Sequence, residues 1–154
     1  MGRFIFLSSG LLVVFLSLSG ADFECPTEWC PYDQHCYRAF DEPKRSVDAE
    51  KFCVEQAGHL ASIESKEEAD FVAQLVSENV KSSPDYVWIG LWNQRKEQYC
   101  NKKWTDGSSV IYQNMVERFR KNCFGLEKES GYRTWLNLRC GDDYPFVCKF
   151  PPRC

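Results

Sequence analysis

The sequence predicts an α+β domain. Two amphipathic helical stretches come first, short aromatic and β-branched runs follow, and nine cysteines in 154 residues supply covalent staples for a small core. The first helix opens at Ser46, where Ala49, Phe52, Cys53 and Ala57 recur on one face and Asp48 and Glu50 suit its first turn. The second starts at Ser65: Ser65-Lys66-Glu67-Glu68 has the capping-box form, Ala69, Val72, Leu75, Val76 and Val80 line one face, and Pro84 marks the end. Beyond it, Tyr86 to Leu91, Trp135 to Leu138 and Phe146 to Cys148 read as strands, with turns such as Asp106-Gly107 between them. Helices gathered ahead of short strands imply antiparallel sheets, not a doubly wound parallel one.

Composition narrows the function classes. A formal charge of −3 lacks the basic excess that meets phosphates, so a nucleic-acid partner is not expected. Residues 1–21 have the form of a secretory signal: Arg3 is basic, Ile5 to Leu18 is mostly apolar, and Ser19-Gly20-Ala21 is a run of small residues. The apolar run is shorter than the roughly 20 residues that span a bilayer, so membrane insertion is not expected. Cleavage after Ala21 leaves a domain at 22–154 that keeps every cysteine and has no Asn-x-Ser/Thr sequon.

Cys36-Tyr37, Ala49-Glu50 with Cys53, Trp88-Ile89-Gly90-Leu91, Trp104-Thr105-Asp106-Gly107, Cys123, Cys140 and Phe146-Val147-Cys148 together resemble a C-type lectin domain. The opening from Asp22 to Cys36 and the ending Phe150-Pro151-Pro152-Arg153-Cys154 resemble, more narrowly, alpha-type subunits of the snake-venom C-type lectin-like proteins, the snaclecs. The resemblance implies a heterodimer with a homologous beta-type subunit, joined by a disulfide, in which a long loop (roughly 92–122 here) is exchanged between subunits. It implies intrachain bridges Cys25–Cys36, Cys53–Cys148 and Cys123–Cys140.

Nine is an odd number, so at least one cysteine of an isolated chain is left unpaired. The resemblance places Cys100 at the bridge between subunits and Cys154 at a bridge to further heterodimers. A Cys30–Cys100 pairing inside the chain is the alternative for Cys100, and Cys30 itself departs from the family pattern: a further interchain bridge or a small-molecule cap would suit it.

Sugar and metal chemistry are not expected. Neither Glu-Pro-Asn nor Gln-Pro-Asp occurs, and Trp135-Leu136-Asn137 stands where a lectin would have Trp-Asn-Asp. One asparagine cannot supply the six to eight oxygens calcium takes. A second calcium site found in some relatives matches Ser62, Glu64 and Glu68, but its fourth position is Lys149. At about 4 Å and an effective dielectric near 20, ion and ammonium would repel by up to about 8 kcal/mol. The ammonium is expected to replace the metal and pair with Glu64 or Glu68; Glu68 equally suits the capping box. With two histidines, His35 and His59, and no Gly-x-Ser-x-Gly or His-Glu-x-x-His, no catalytic residues, cofactor or enzyme activity are expected.

Recognition by surface remains. Within 92–122, seven basic residues (Arg95, Lys96, Lys102, Lys103, Arg118, Arg120 and Lys121) face three acidic ones, interleaved with Trp92, Tyr99, Tyr112 and Phe119; the rest of 22–154 carries −8. Arginine and aromatic side chains anchor tight interfaces. The expected function is therefore a secreted, non-enzymatic venom toxin subunit that binds a platelet membrane receptor, glycoprotein Ib, through complementary charge, and blocks or clusters it. Glycoprotein VI or an integrin comes second, coagulation factors IX and X third, and a calcium-dependent galactose-binding lectin is the alternative from another class.

Overall fold

The computed structural model describes residues 24–96, 99–118 and 121–151. The signal-type segment 1–21, Arg120 and Cys154 lie outside them. Two strands precede the first helix: β1 (Cys30–Tyr32) and β2 (His35–Lys44). Asp33 and Gln34 between them hold φ of 43° and 62°, the left-handed pair a two-residue hairpin turn requires. Then come α1 (Ser46–Glu55), β3 (His59–Leu60), α2 (Lys66–Asn79), β4 (Tyr86–Lys96), β5 (Tyr99–Trp104), β6 (Met115–Val116), β7 (Cys123–Glu127), a 3₁₀ turn, β8 (Trp135–Leu138) and β9 (Tyr144–Phe150).

The sheet runs β1-β2-β9-β4-β7-β8-β6, with β3 on β9 and β5 on β4. It is mixed, which corrects the antiparallel expectation: β4 meets β9 in parallel at Trp88 and Phe146, and β6 lies parallel to β8. Both helices end earlier than their periodicity suggested. Helix α1 stops at Glu55, and Ala57 takes a positive φ of 66° outside it. Helix α2 stops at Asn79, where Val80 caps it and Asp41 accepts from the Ser82 N–H and hydroxyl; Pro84 lies beyond. Of the two acids assigned to the first turn of α1, Glu50 instead accepts from the Leu60 N–H (3.0 Å) and pairs with the His59 ring.

Each helix covers one core. Ala69, Val72, Ala73, Leu75 and Val76 of α2 pack on Tyr37, Val87, Ile89, Phe124 and Trp135, whereas Ala49 and Cys53 of α1 pack on Phe40, Trp88 and Phe146. Bridges stitch the margins: Cys25–Cys36 fastens the start of the described chain to β2, Cys123–Cys140 fastens the start of β7 to the segment after β8, and Cys53–Cys148 ties α1 to the central strand β9 across 95 residues. These are the pairs that the resemblance implies. Gly58 lets the chain cross β9 closely: a Cβ there would sit 2.6 Å from the Lys149 carbonyl oxygen, so the residue also fixes the backbone that carries Lys149.

At the surface, Asp70 accepts from Arg133 Nε (3.0 Å) and from Lys66 (3.4 Å), and the arginine bond, with the lysine behind it, holds the Asp70 carboxyl below its ordinary range. A carboxyl depressed in the folded state adds stability above its unfolded pKa and loses that contribution as pH falls through the folded value. The urea midpoint should therefore drop as pH is lowered below about 4, and Arg133→Gln should flatten that drop slightly.

Candidate functional site

Two places could carry function: the buried base under α2, and the basic segment 92–122. At the base, Ser65 caps α2 by accepting the Glu68 N–H at 3.0 Å. Glu68 Oε1 reaches back to the Glu64 N–H (2.6 Å), one residue before the cap, so the capping box is only half closed. Its other oxygen turns inward, where it accepts from the Tyr37 hydroxyl and from Lys149 Nζ at 2.7 Å. The ammonium's remaining protons go to the Ser62 carbonyl (3.2 Å) and hydroxyl (3.0 Å), and the Ser62 hydroxyl donates to Asp106. Lys149 and Glu68 are 6 % and 5 % exposed, so this is a buried ion pair with every proton of the cation used. Burial, and after it the Glu68 carboxylate, push the Tyr37 phenol far above its ordinary range, so it remains a donor.

The residues present do not fit calcium. The carboxylate a metal would need is committed to an ammonium, Glu64 is exposed and contributes only its backbone, and no cluster of three His, Cys, Asp or Glu among the described residues is placed to hold a metal ion. His59 is engaged with Glu50, and His35 with the Asp33 carbonyl.

The basic segment is not a simple loop. Its first part forms β4 and β5, which run antiparallel with Asn93 opposite Lys102, Arg95 opposite Cys100 and Lys96 opposite Tyr99. Its middle finds apolar cover: Trp104 is buried, and Val110, Tyr112 and Met115 pack against the α2 core. Lys102 forms an ion pair with Glu117, which joins β5 to the limb returning toward Cys123. Lys103 and Arg118 are exposed, Lys121 is half-buried, and no ion pair to any of these three occurs among the described residues. Asn137, the position that departs from the lectin pattern, is 2 % exposed and bonded to the backbone of Arg118 and Lys121. Cys30 carries a free thiol on β1 and packs partly against the α2 core.

Beside the root of β4 lies an apolar hollow of about 310 Å³, lined by Val47, Leu60, Leu91, Trp92 and the Cys123–Cys140 pair. Sequence reading missed it, along with the exposed Val47 and Val54 of α1, because both valines lie off the face of Ala49, Phe52 and Cys53 by which that helix was read.

Residues 42–150 match the family described as Lectin C-type domain. Over its whole length, and that of the relative, the chain is 83 % identical to Snaclec 2 of Bitis gabonica. The chain belongs to the snaclecs, the snake-venom C-type lectin-like proteins. A second snaclec, lebecin subunit beta of Macrovipera lebetinus, is 68 % identical over 98 % of this chain and 99 % of its own. Among solved structures, rhodocetin in complex with the integrin alpha2-A domain shares 52 % identity over 83 % of this chain and 99 % of that one, with a TM-score of 0.67. Like other snaclecs the protein is not an enzyme. No helix among its described residues is long and apolar enough to cross a membrane.

Proposed function

We propose that this snaclec is the alpha-type subunit of a secreted venom toxin that grips a platelet receptor through the basic face of segment 92–122. The observation that carries the reading is a cationic set, the exposed Lys103 and Arg118 with the half-buried Lys121, that has no ion pair among the described residues, on a domain whose residues outside 92–122 carry a net −8. Charge of that sign selects an acidic partner and raises the association rate more than the final affinity. Glycoprotein Ib is the target this favours. The likeness to rhodocetin, a protein solved bound to an integrin domain, supports a second reading in which the target is an integrin.

The assembly we propose is a heterodimer with a beta-type chain, with the arm exchanged between subunits, Cys100 bridging the pair and Cys154 linking further pairs into a ring. Presenting several copies of the face together would multiply avidity by a hundredfold or more and so favour clustering. Platelets lacking glycoprotein Ib provide the test: the native assembly should lose binding to them. Undiminished binding overturns glycoprotein Ib as the target, and its loss on platelets lacking the collagen-binding integrin instead would establish the second reading. A double charge reversal, Lys103→Glu with Arg118→Glu, should weaken binding at least tenfold, most of it in the association rate and most strongly at low salt.

A further inference from the structure

Where β5 ends, the chain turns back and leaves a cleft of about 490 Å³, lined by Lys102, Lys103 and Trp104 from the strand and by Ser108, Ser109 and Val110 from the turn. The turn is fastened at several points. Gly107 takes a φ of 83°, and its N–H donates to the Trp104 carbonyl at 3.1 Å. Asp106 accepts the Ser108 N–H through Oδ1 at 2.8 Å and the Ser62 hydroxyl through Oδ2. The Ser62 oxygen also accepts from Lys149, so the turn is tied to the ion pair buried under α2. Before the turn, the Thr105 N–H donates to the Gly90 carbonyl at 2.9 Å; after it, Val110, Tyr112 and Met115 pack on the α2 core.

Charge in the cleft has one sign. No described acidic residue lines it, because the Asp106 carboxylate is taken up by the turn itself. Lys102 is spent on Glu117, whereas Lys103 is exposed and has no ion pair among the described residues. One unspent ammonium therefore stands beside the hydroxyls of Ser108 and Ser109. An ammonium brings charge and three donors, and the hydroxyls can donate alongside it, a set that suits a carboxylate. Val110 adds an apolar wall for the methylenes of a glutamate side chain.

We propose that this cleft receives an acidic side chain of the target polypeptide, with Lys103 as its ion partner and the Ser108 and Ser109 hydroxyls as donors. The proposal rests on the basic-face reading above and narrows it to one pocket. Walls already fixed by Asp106 and the α2 core lose little freedom when the target arrives.

The probe is an acetylated hexaglutamate peptide titrated into the intact assembly, with hydrogen exchange as the map. Adding peptide should slow exchange within 102–110. Lys103→Ala should weaken the peptide about tenfold, as the loss of one charge-assisted hydrogen bond implies, and Ser108→Ala with Ser109→Ala, which alters no charge, about threefold. Arg118→Ala removes the same charge outside the cleft and should cost less than about threefold. If the serine pair does not assemble, Ser109→Ala alone carries that arm. Equal losses from Lys103→Ala and Arg118→Ala with no effect of the serines describe a diffuse field and overturn the cleft. Protection confined to residues outside 102–110, or binding of a heparin tetrasaccharide with none of the peptide, overturns it as well. Platelet binding separates the two claims. If Lys103→Glu with Arg118→Glu leaves it intact, the basic-face reading itself is wrong, whereas if that pair abolishes it while Lys103→Ala and the serine pair do not weaken it, only the cleft fails.

Discussion

Replacing Cys53 and Cys148 by alanine should leave the protein without a cooperative folded state at 37 °C. The bridge closes a loop with a sequence separation of 95, and on the chain-entropy account such a closure contributes about 4 to 5 kcal/mol by restricting the unfolded chain. Total stability of a domain this size is about 5 to 15 kcal/mol, so losing that much removes a large part of it. Position adds to length, because the two sulfurs are fully buried between α1 and β9 and join the helix-covered core to the strand that pairs with β2, β3 and β4. Thermal unfolding followed by circular dichroism checks this. A broad, non-cooperative melt or a fall of 15 °C or more is expected on the usual scaling; a melt within a few degrees of the parent would show that packing alone holds the domain.

Lys149→Ala should be the most damaging single substitution outside the cysteines. It leaves Glu68 as a buried carboxylate with the Tyr37 hydroxyl and a backbone N–H but no counter-charge, a change that costs about 3 to 5 kcal/mol. On a domain this size the melting temperature should fall by roughly 10 °C or more. Removing both charges together, as Lys149→Met with Glu68→Gln, should recover much of the loss, because a buried pair contributes far less than the penalty for breaking it. Millimolar calcium should neither raise the melting temperature of the parent nor rescue Lys149→Ala. A calcium-dependent rise in the parent would mean that the lysine leaves its cage and lets metal in.

Much of this molecule was legible in its sequence for simple reasons. Helix α2 announces itself through a cap with a matched acid three residues on, and Trp135 to Leu138 and Phe146 to Cys148 are short, mostly apolar runs of the kind buried strands show. The hairpin of β1 and β2 was hidden because Asp33-Gln34 is not a glycine turn, and because Cys36 and Tyr37 are both buried, which erases the alternation a strand normally shows. Helix ends were misplaced where tertiary contacts decide them: Ala57 continues the apolar spacing but turns left-handed so that Gly58 can pass β9, and Asp41 draws Ser82 away before Pro84 is reached.

At the base, Lys149 and Glu68 could be paired by charge alone, but the choice of Glu68 over Glu64 depends on where the helix starts: Glu68 turns inward from the first turn of α2, whereas Glu64 precedes the cap and is exposed. Asn137 read as a leftover of a lost lectin motif. Its bonds to the backbone of Arg118 and Lys121 depend on where the chain returns toward β7, and no spacing along the chain encodes that.

The most direct test of the whole account is the covalent state of Cys100 in the native toxin. Digestion without reduction, followed by mass spectrometry of the peptide that contains Cys100, should find it joined to a peptide whose sequence occurs nowhere in this chain. Finding it bonded to Cys30 of the same chain, or free, would contradict the account at its root, because the basic segment would then belong to a protein that stands alone.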